Sequence, residues 1–139
     1  MKANYATEKA IMAVLEEFAE SYAKQDLKTI MSLVSTDDDI VMYGTNADEK
    51  RIGFKEIKTQ FERDWSQIEE PAFEYKWISI SASGNVSWAA IDAVFKAKVN
   101  GQNLNFPLRV TKVLEKKGDK WLIVHAHFSF PDESQIFNI

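Results

Sequence analysis

The 139-residue sequence contains no cysteine. That absence excludes a disulfide scaffold, a thiolate nucleophile and any cysteine-ligated zinc or iron–sulfur centre. Positive charge is in deficit: 17 Lys and Arg against 21 Asp and Glu leave a net charge of -4, the wrong sign for neutralising a phosphate backbone. No apolar run approaches the ~18–20 residues of a membrane span. Glu8, Lys9, Glu16, Glu17 and Glu20 interrupt any apolar stretch of signal-peptide type, so a cytoplasmic protein is expected. Internal repeats, Pro- or Ser-rich linkers and low-complexity tracts are missing. So are the glycine-rich phosphate loops, the calcium loop and the nucleophile elbow. The run Asp37 to Asp39 has too few oxygen ligands and no sharp glycine turn for calcium, and reads as a solvated helix stop.

What is present fits a single folded domain over residues 1–139. The length lies within the ~100–200 residues of one domain, and 45% hydrophobic with 27% charged residues is a folding composition rather than a disordered one. Ile11, Val14, Leu15, Phe18 and Tyr22 recur at helical spacing and predict a helix from about Thr7 to Gln25. Asp26 is a suitable cap for a shorter helix striped by Leu27, Ile30, Met31 and Val34. Ile40 to Tyr43 reads as a strand stopped at Gly44. Phe54, Ile57, Phe61, Trp65 and Ile68 define a third helix beginning near Gly53, with Pro71 as its expected end.

Beyond Pro71 the period becomes two. Phe73, Tyr75 and Trp77 alternate with charged residues. Turns at Gly84-Asn85, Asn100-Gly101 and Lys116 to Asp119 then separate strands over Val86–Val99, Asn103–Glu115 and Lys120–Phe130. Helices first and an antiparallel meander afterwards mean an α+β domain, three N-terminal helices covering one face of a curved, mostly antiparallel sheet.

This order resembles the nuclear transport factor 2-like superfamily, and its SnoaL-like branch in particular. The most specific stretch is Arg109 to Pro131, with its Trp121-x-Ile-Val-His125-x-His127-x-Ser129-x-Pro131 pattern. The same pattern is similar to the association domain of calcium/calmodulin-dependent protein kinase II. The resemblance implies a cone: a strongly bent sheet wrapped round a helix, with a pocket at its open end. It does not fix a function, because the superfamily spans enzymes and assembly modules. Phe18 stands where the ketosteroid isomerases of this superfamily carry an oxyanion-hole tyrosine, and Met42 and Tyr43 stand where they carry a carboxylate base, which argues against that reaction at that position. Lys112, Phe128 and Asp92 fall where the association domains carry arginines, so their anion pocket is not reproduced.

Among polar residues, Asp92 interrupts the apolar run Trp88 to Phe95 and is expected to be buried or half-buried. A two-residue turn at Asn100-Gly101 sets it opposite Arg109, as a cross-strand ion pair, whereas a three-residue loop with a bulge would slip the register by one and dissolve the pair. His125 and His127, the only histidines, lie on one strand face, expected to be shared with Trp121, Ile123 and Ser129. A metal needs a third ligand that the sequence does not place, so neither metal nor cofactor is expected. The candidate catalytic residues are Asp92 and His127; Tyr43, Trp65, Trp88, Arg109 and His125 are the candidate pocket residues.

Both pleats of the last strand look apolar, which calls for a cover on each side and predicts a homodimer packed through sheet faces. The functional expectation is an apolar pocket for a small hydrophobic or weakly acidic molecule, with cofactor-free acid–base chemistry of isomerase, hydrolase or dehydratase type. The alternative is a non-catalytic oligomerisation or scaffold module. No nucleic-acid or membrane partner is expected.

Overall fold

The computed structural model describes residues 1–134. Helix α1 (Tyr5–Ala23) begins where Asn4 Oδ1 accepts the Thr7 N–H at 2.9 Å, which satisfies a first-turn donor. Its buried stripe is Ile11, Leu15, Phe18 and Tyr22, the spacing that the sequence displays. Gln25 takes a left-handed φ of 55° and turns the chain into α2 (Leu27–Ser32), where Asp26 caps the Thr29 N–H at 3.1 Å. Two short strands follow, β1 (Val41–Tyr43) and β2 (Lys50–Ile52). Only the first of these is expected from the sequence, since three residues are too few to show a period.

The third helix, α3 (Phe54–Gln67), therefore stands between β2 and β3. Gly53 opens it at a φ of 86°, where a Cβ would meet the Asp38 carbonyl oxygen at 3.2 Å. Only glycine combines that backbone angle with that close approach. Pro71 does not end the helix as expected. The helix stops at Gln67, and Pro71 lies inside β3 (Glu69–Ser83), an edge strand, beside a register shift between Glu69 and Ala72. A proline lacking its N–H is tolerated at such a place.

With β4 (Val86–Val99), β5 (Gln102–Lys117) and β6 (Lys120–Ser129), the strands form one six-stranded sheet in the order β2-β1-β6-β5-β4-β3. The β1–β6 pair is parallel and the others antiparallel. Helix α1 packs along the inner face: Tyr75 on β3 donates its hydroxyl to the Leu15 carbonyl at 2.6 Å. Val99 faces Gln102, so Asp92 stands opposite Arg109 in the register that the turn implied.

Two bulges correct the expected face assignments. Between Tyr75 and Trp77 the β3 register slips by one residue. Phe73, Tyr75, Ile78 and Ile80 consequently share the inner face, and Trp77 goes outside, 55% exposed. Between Ile123 and His125 the β6 register slips in the same way. Trp121, Ile123, Ala126 and Phe128 then share the inner face, while His125 and His127 face outward opposite Val113 and Thr111. An extra residue in one strand reverses every later side chain. The last strand is thus amphipathic after all, and its sequence parity is no argument for a second cover.

The inner face of β5 carries Leu108, Val110, Lys112 and Leu114, all buried. Lys112 is 1% exposed. Its strand neighbours are Ala89 and Ala126, whose short side chains leave room for the long stem. The Nζ atom lies 3.0 Å from the centre of the Phe18 ring and has no hydrogen-bond partner among the described residues. Burial pulls its pKa well below the ordinary lysine value. A base with a depressed folded pKa binds more protons unfolded, so it weakens the fold as the pH drops below about 10.4 and until the depressed value is passed. Lys112→Met keeps most of the volume and removes the amine. We expect it to stabilise the protein by about 1–3 kcal/mol near pH 7, with a smaller gain above about pH 10.4. Urea unfolding at several pH values measures this, and a variant no more stable than the wild type contradicts it.

Candidate functional site

A cavity of about 410 Å³ opens between α1, α3 and the inner sheet face, within the ~300–1,000 Å³ typical of small-molecule sites. Its walls are aromatic because the stripes of both helices and the inner-facing strand residues converge there: Phe18, Phe61, Phe73, Phe95 and Phe128, with Leu108. Phe73 lies 5.2 Å from Phe95 and 6.2 Å from Phe128 between ring centres. Phe106 and Phe130, 37% and 48% exposed, pair at 5.5 Å and both border the cavity.

One side of this apolar space is polar. Tyr22 sits one turn beyond Phe18 on α1, and its hydroxyl donates to Asp64 Oδ2 at 2.9 Å. Asp64 and Gln60 are one turn apart on α3, and Gln60 Nε2 donates to Asp64 Oδ1 at 2.7 Å and to Glu49 Oε2 at 2.8 Å. The Gln60 carbonyl accepts from Arg51 Nε at 2.6 Å, so every polar atom of that amide is engaged. All five residues line the cavity. Burial is the largest influence on Asp64 and holds its carboxyl above the usual carboxylate range, although Gln60 and Tyr22 pull the other way. Burial, and then the neighbouring Asp64 charge, push the Tyr22 phenol far above its ordinary value, so its proton stays on. The arrangement is a protonated donor beside a reluctant carboxylate in an apolar chamber, the pairing that acid–base chemistry uses.

The residues that the sequence singled out lie mostly elsewhere. Asp92, Arg109, His127 and Ser129 line a shallow groove with Trp77 and Thr111 on the outer sheet face. Asp92 and Arg109 are both exposed, contrary to the expected burial, and among the described residues no ion pair joins them despite their facing positions. His125 is half-buried and its Nδ1 lies 2.6 Å from the Val41 carbonyl, an outer-face contact between β6 and β1. Trp88 also belongs to the outer face, half-buried on β4 opposite Ser81 and Val113. Trp65 does not line the cavity but backs it, stacking on Phe61 at 5.9 Å and meeting Tyr22 edge-on at 5.6 Å. Only Tyr43 borders the cavity, and its ring leans toward His127, 5.1 Å away.

The missed residues carried a signal. Tyr22 is the one polar-tipped member of the α1 stripe. Gln60 and Asp64 flank Phe61 along the edge of the α3 stripe, close enough in angle to share its side of the helix. Among the described residues no three His, Cys, Asp or Glu side chains cluster to hold a metal. Among the described residues no helix is long and apolar enough to cross a membrane.

An α+β domain enclosing an aromatic cavity with one polar wall is the class that the fold and the site define. A SnoaL-like domain model matches residues 11–133, and the chain belongs to that family. No curated protein matches the sequence. Among solved structures, a nuclear transport factor 2-like superfamily protein from Salmonella enterica serovar Typhimurium aligns with a TM-score of 0.86 at 21% identity, over 96% of this chain and 97% of that one. A provisionally named dehydratase of the same family from Streptomyces avermitilis gives 0.81 at 14% identity, over 88% and 95%. A provisionally named kinase II association domain from Xanthomonas campestris gives 0.79 at 22%, over 94% and 91%. At these identities the likeness is one of fold.

The Asp64 environment predicts a pH signature. A carboxylate with a raised folded pKa is protonated more readily in the native state, so stability falls as the pH rises from about 3.9 through the raised value and is level above it. Asp64→Asn lacks that titration. Its stability relative to the wild type should rise across this window and then plateau, on top of a constant loss from one forfeited hydrogen bond. Denaturant unfolding between about pH 4 and pH 8 tests this; a difference that does not vary with pH contradicts it.

Proposed function

We propose that this protein binds a small, largely apolar organic molecule in the α1–α3 cavity and that Tyr22 and Asp64 provide cofactor-free acid–base chemistry on it. The observation that carries the reading is the Tyr22–Asp64 hydrogen bond of 2.9 Å, set on the polar wall of a cavity whose opposite side is rich in phenylalanine. The rings favour a flat hydrophobic body, and the polar wall favours a single carbonyl, hydroxyl or weakly acidic group placed against it. Asp64 serves as the proton acceptor. On ligand entry the single Tyr22 O–H turns from Asp64 Oδ2 to donate to the ligand oxygen where negative charge develops, while Gln60 holds the other carboxylate oxygen. The neighbour named as a dehydratase fits chemistry of this type. Asp92 and His127 face the outer groove, so the acid–base role goes to Asp64 and Tyr22.

The outer sheet face has a second part in this reading. Trp77 is 55% exposed there, beside Ala90, Thr111 and His127. A second copy of the chain packed on that face would cover the tryptophan, and the homodimer is proposed on that ground.

Native mass spectrometry of protein taken gently from its host, followed by denaturing release, tests both parts. The expected particle has twice the 15.9 kDa chain mass and releases a small apolar compound. Occupancy should fall about tenfold or more in Asp64→Asn and in Tyr22→Phe, the loss of one hydrogen bond to a charged or polar group at ~1.5–3 kcal/mol. A compound retained equally by both variants contradicts the site assignment, and a particle of single chain mass contradicts the dimer.

A further inference from the structure

We propose that Lys112 is a carbonyl-capturing amine set behind the cavity wall, and that the molecules this cavity takes include aldehydes, held as an imine on Lys112 Nζ. The inference rests on the reading of the cavity as a small-molecule site and narrows its ligand to a carbonyl class.

Three observations support it. First, the side chain is 1% exposed, and its amine has no hydrogen-bond partner among the described residues. A structural lysine usually sends its ammonium to water or to a carboxylate; this one has no such partner among the described residues and lies over the face of the Phe18 ring. Second, the amine lies against the cavity. Its Nζ is 3.0 Å from the Phe18 ring centre and 5.9 Å from that of Phe128, and both rings line the cavity. Lys112 itself does not, so the Phe18 ring is the partition between amine and chamber. Third, the side chains meeting it from α1, β4 and β6 (Phe18, Ala89, Ala126 and Phe128) are all uncharged. Without a counter-charge burial shifts the balance toward the neutral amine, and a desolvated neutral lysine is an activated nucleophile.

The reaction balances without any co-reactant. With Phe18 swung aside, the nitrogen lone pair forms a bond to the carbonyl carbon as the carbon–oxygen π pair moves onto oxygen. A proton passes from nitrogen to that oxygen to give the carbinolamine. Loss of the hydroxyl with the second amine proton, as one water molecule, leaves the carbon–nitrogen double bond. No oxidation state changes, and the imine is reversible by the same water.

The test uses 2-naphthaldehyde with cyanoborohydride at about pH 6, where exposed lysines are almost wholly protonated, followed by digestion and peptide mass mapping. The expected result is a naphthylmethyl group on Lys112 at about tenfold the level of any exposed lysine. Phe18→Leu, with a smaller partition, should label faster, and Lys112→Met should lose that label alone. Wild-type Lys112 labelled no more than the exposed lysines overturns the proposal. The alcohol 2-naphthylmethanol, which has no carbonyl, is measured alongside by equilibrium dialysis. If the alcohol binds and Lys112 stays unlabelled, the imine proposal fails and the cavity reading stands. If neither ligand engages the protein, both fail.

Discussion

The extra residue in β6 between Ile123 and His125 is the constraint on which the site depends. Without it, one strand parity would carry Trp121, Ile123, His125 and His127 together, and two imidazoles would enter the core or two large apolar side chains would leave it. With it, Ala126 and Phe128 join Trp121 and Ile123 on the inner face. Ala126 is small enough to leave room beside Lys112, and Phe128 becomes a wall of the cavity. The bulge in β3 does the same for its strand, keeping Ile78 and Ile80 inside while Trp77 goes out. A bulge is a local change with a long consequence, because strand side chains have a period of two.

Within the space so defined, desolvation governs the chemistry. Tyr22, Asp64 and Lys112 are all buried to differing degrees, and the groups answer differently. Tyr22 and Asp64 meet each other, so a hydrogen bond offsets part of the cost of burial and the rest raises both the Tyr22 phenol and the Asp64 carboxyl. Lys112 has no hydrogen-bond partner among the described residues; its Nζ lies over the Phe18 ring at cation–π distance, and burial lowers its pKa. Buried polar groups normally find partners. A group that does not, beside a chamber of ligand size, is where a structure spends stability on something other than folding.

The helices were legible because amphipathic spacing survives without tertiary information: the α1 stripe, the Asp26 cap and the Gly53 start all read directly from the sequence. The β4–β5 register follows from the two-residue reading of the Asn100-Gly101 turn, which the structure adopts in place of a three-residue loop with a bulge. The candidate site was less legible, for two physical reasons. Asp92 was expected to be buried because its strand neighbours are apolar, but alternate residues of a strand face opposite ways and its own pleat is open. His125 and His127 were assigned faces by unbroken alternation, which the bulge breaks. The reversal was nonetheless written in the sequence: Trp121 and Ile123 occupy odd positions, Ala126 and Phe128 even ones, and an apolar face cannot hold both without an inserted residue. Tyr22, Gln60 and Asp64 were passed over because polar residues at the edge of a helical stripe look solvated until a second helix is set beside them.

The claim at the centre of this account is that ligand chemistry belongs to the inner cavity and not to the outer sheet face. Backbone amide chemical-shift mapping, with the compound released from the host-purified protein titrated back into the emptied chain, tests it most directly. The account predicts that the largest shifts fall at Tyr22, Gln60, Asp64 and Phe128. Shifts concentrated at Trp77, Asp92, Arg109 and His127, with the α3 amides unmoved, would contradict it.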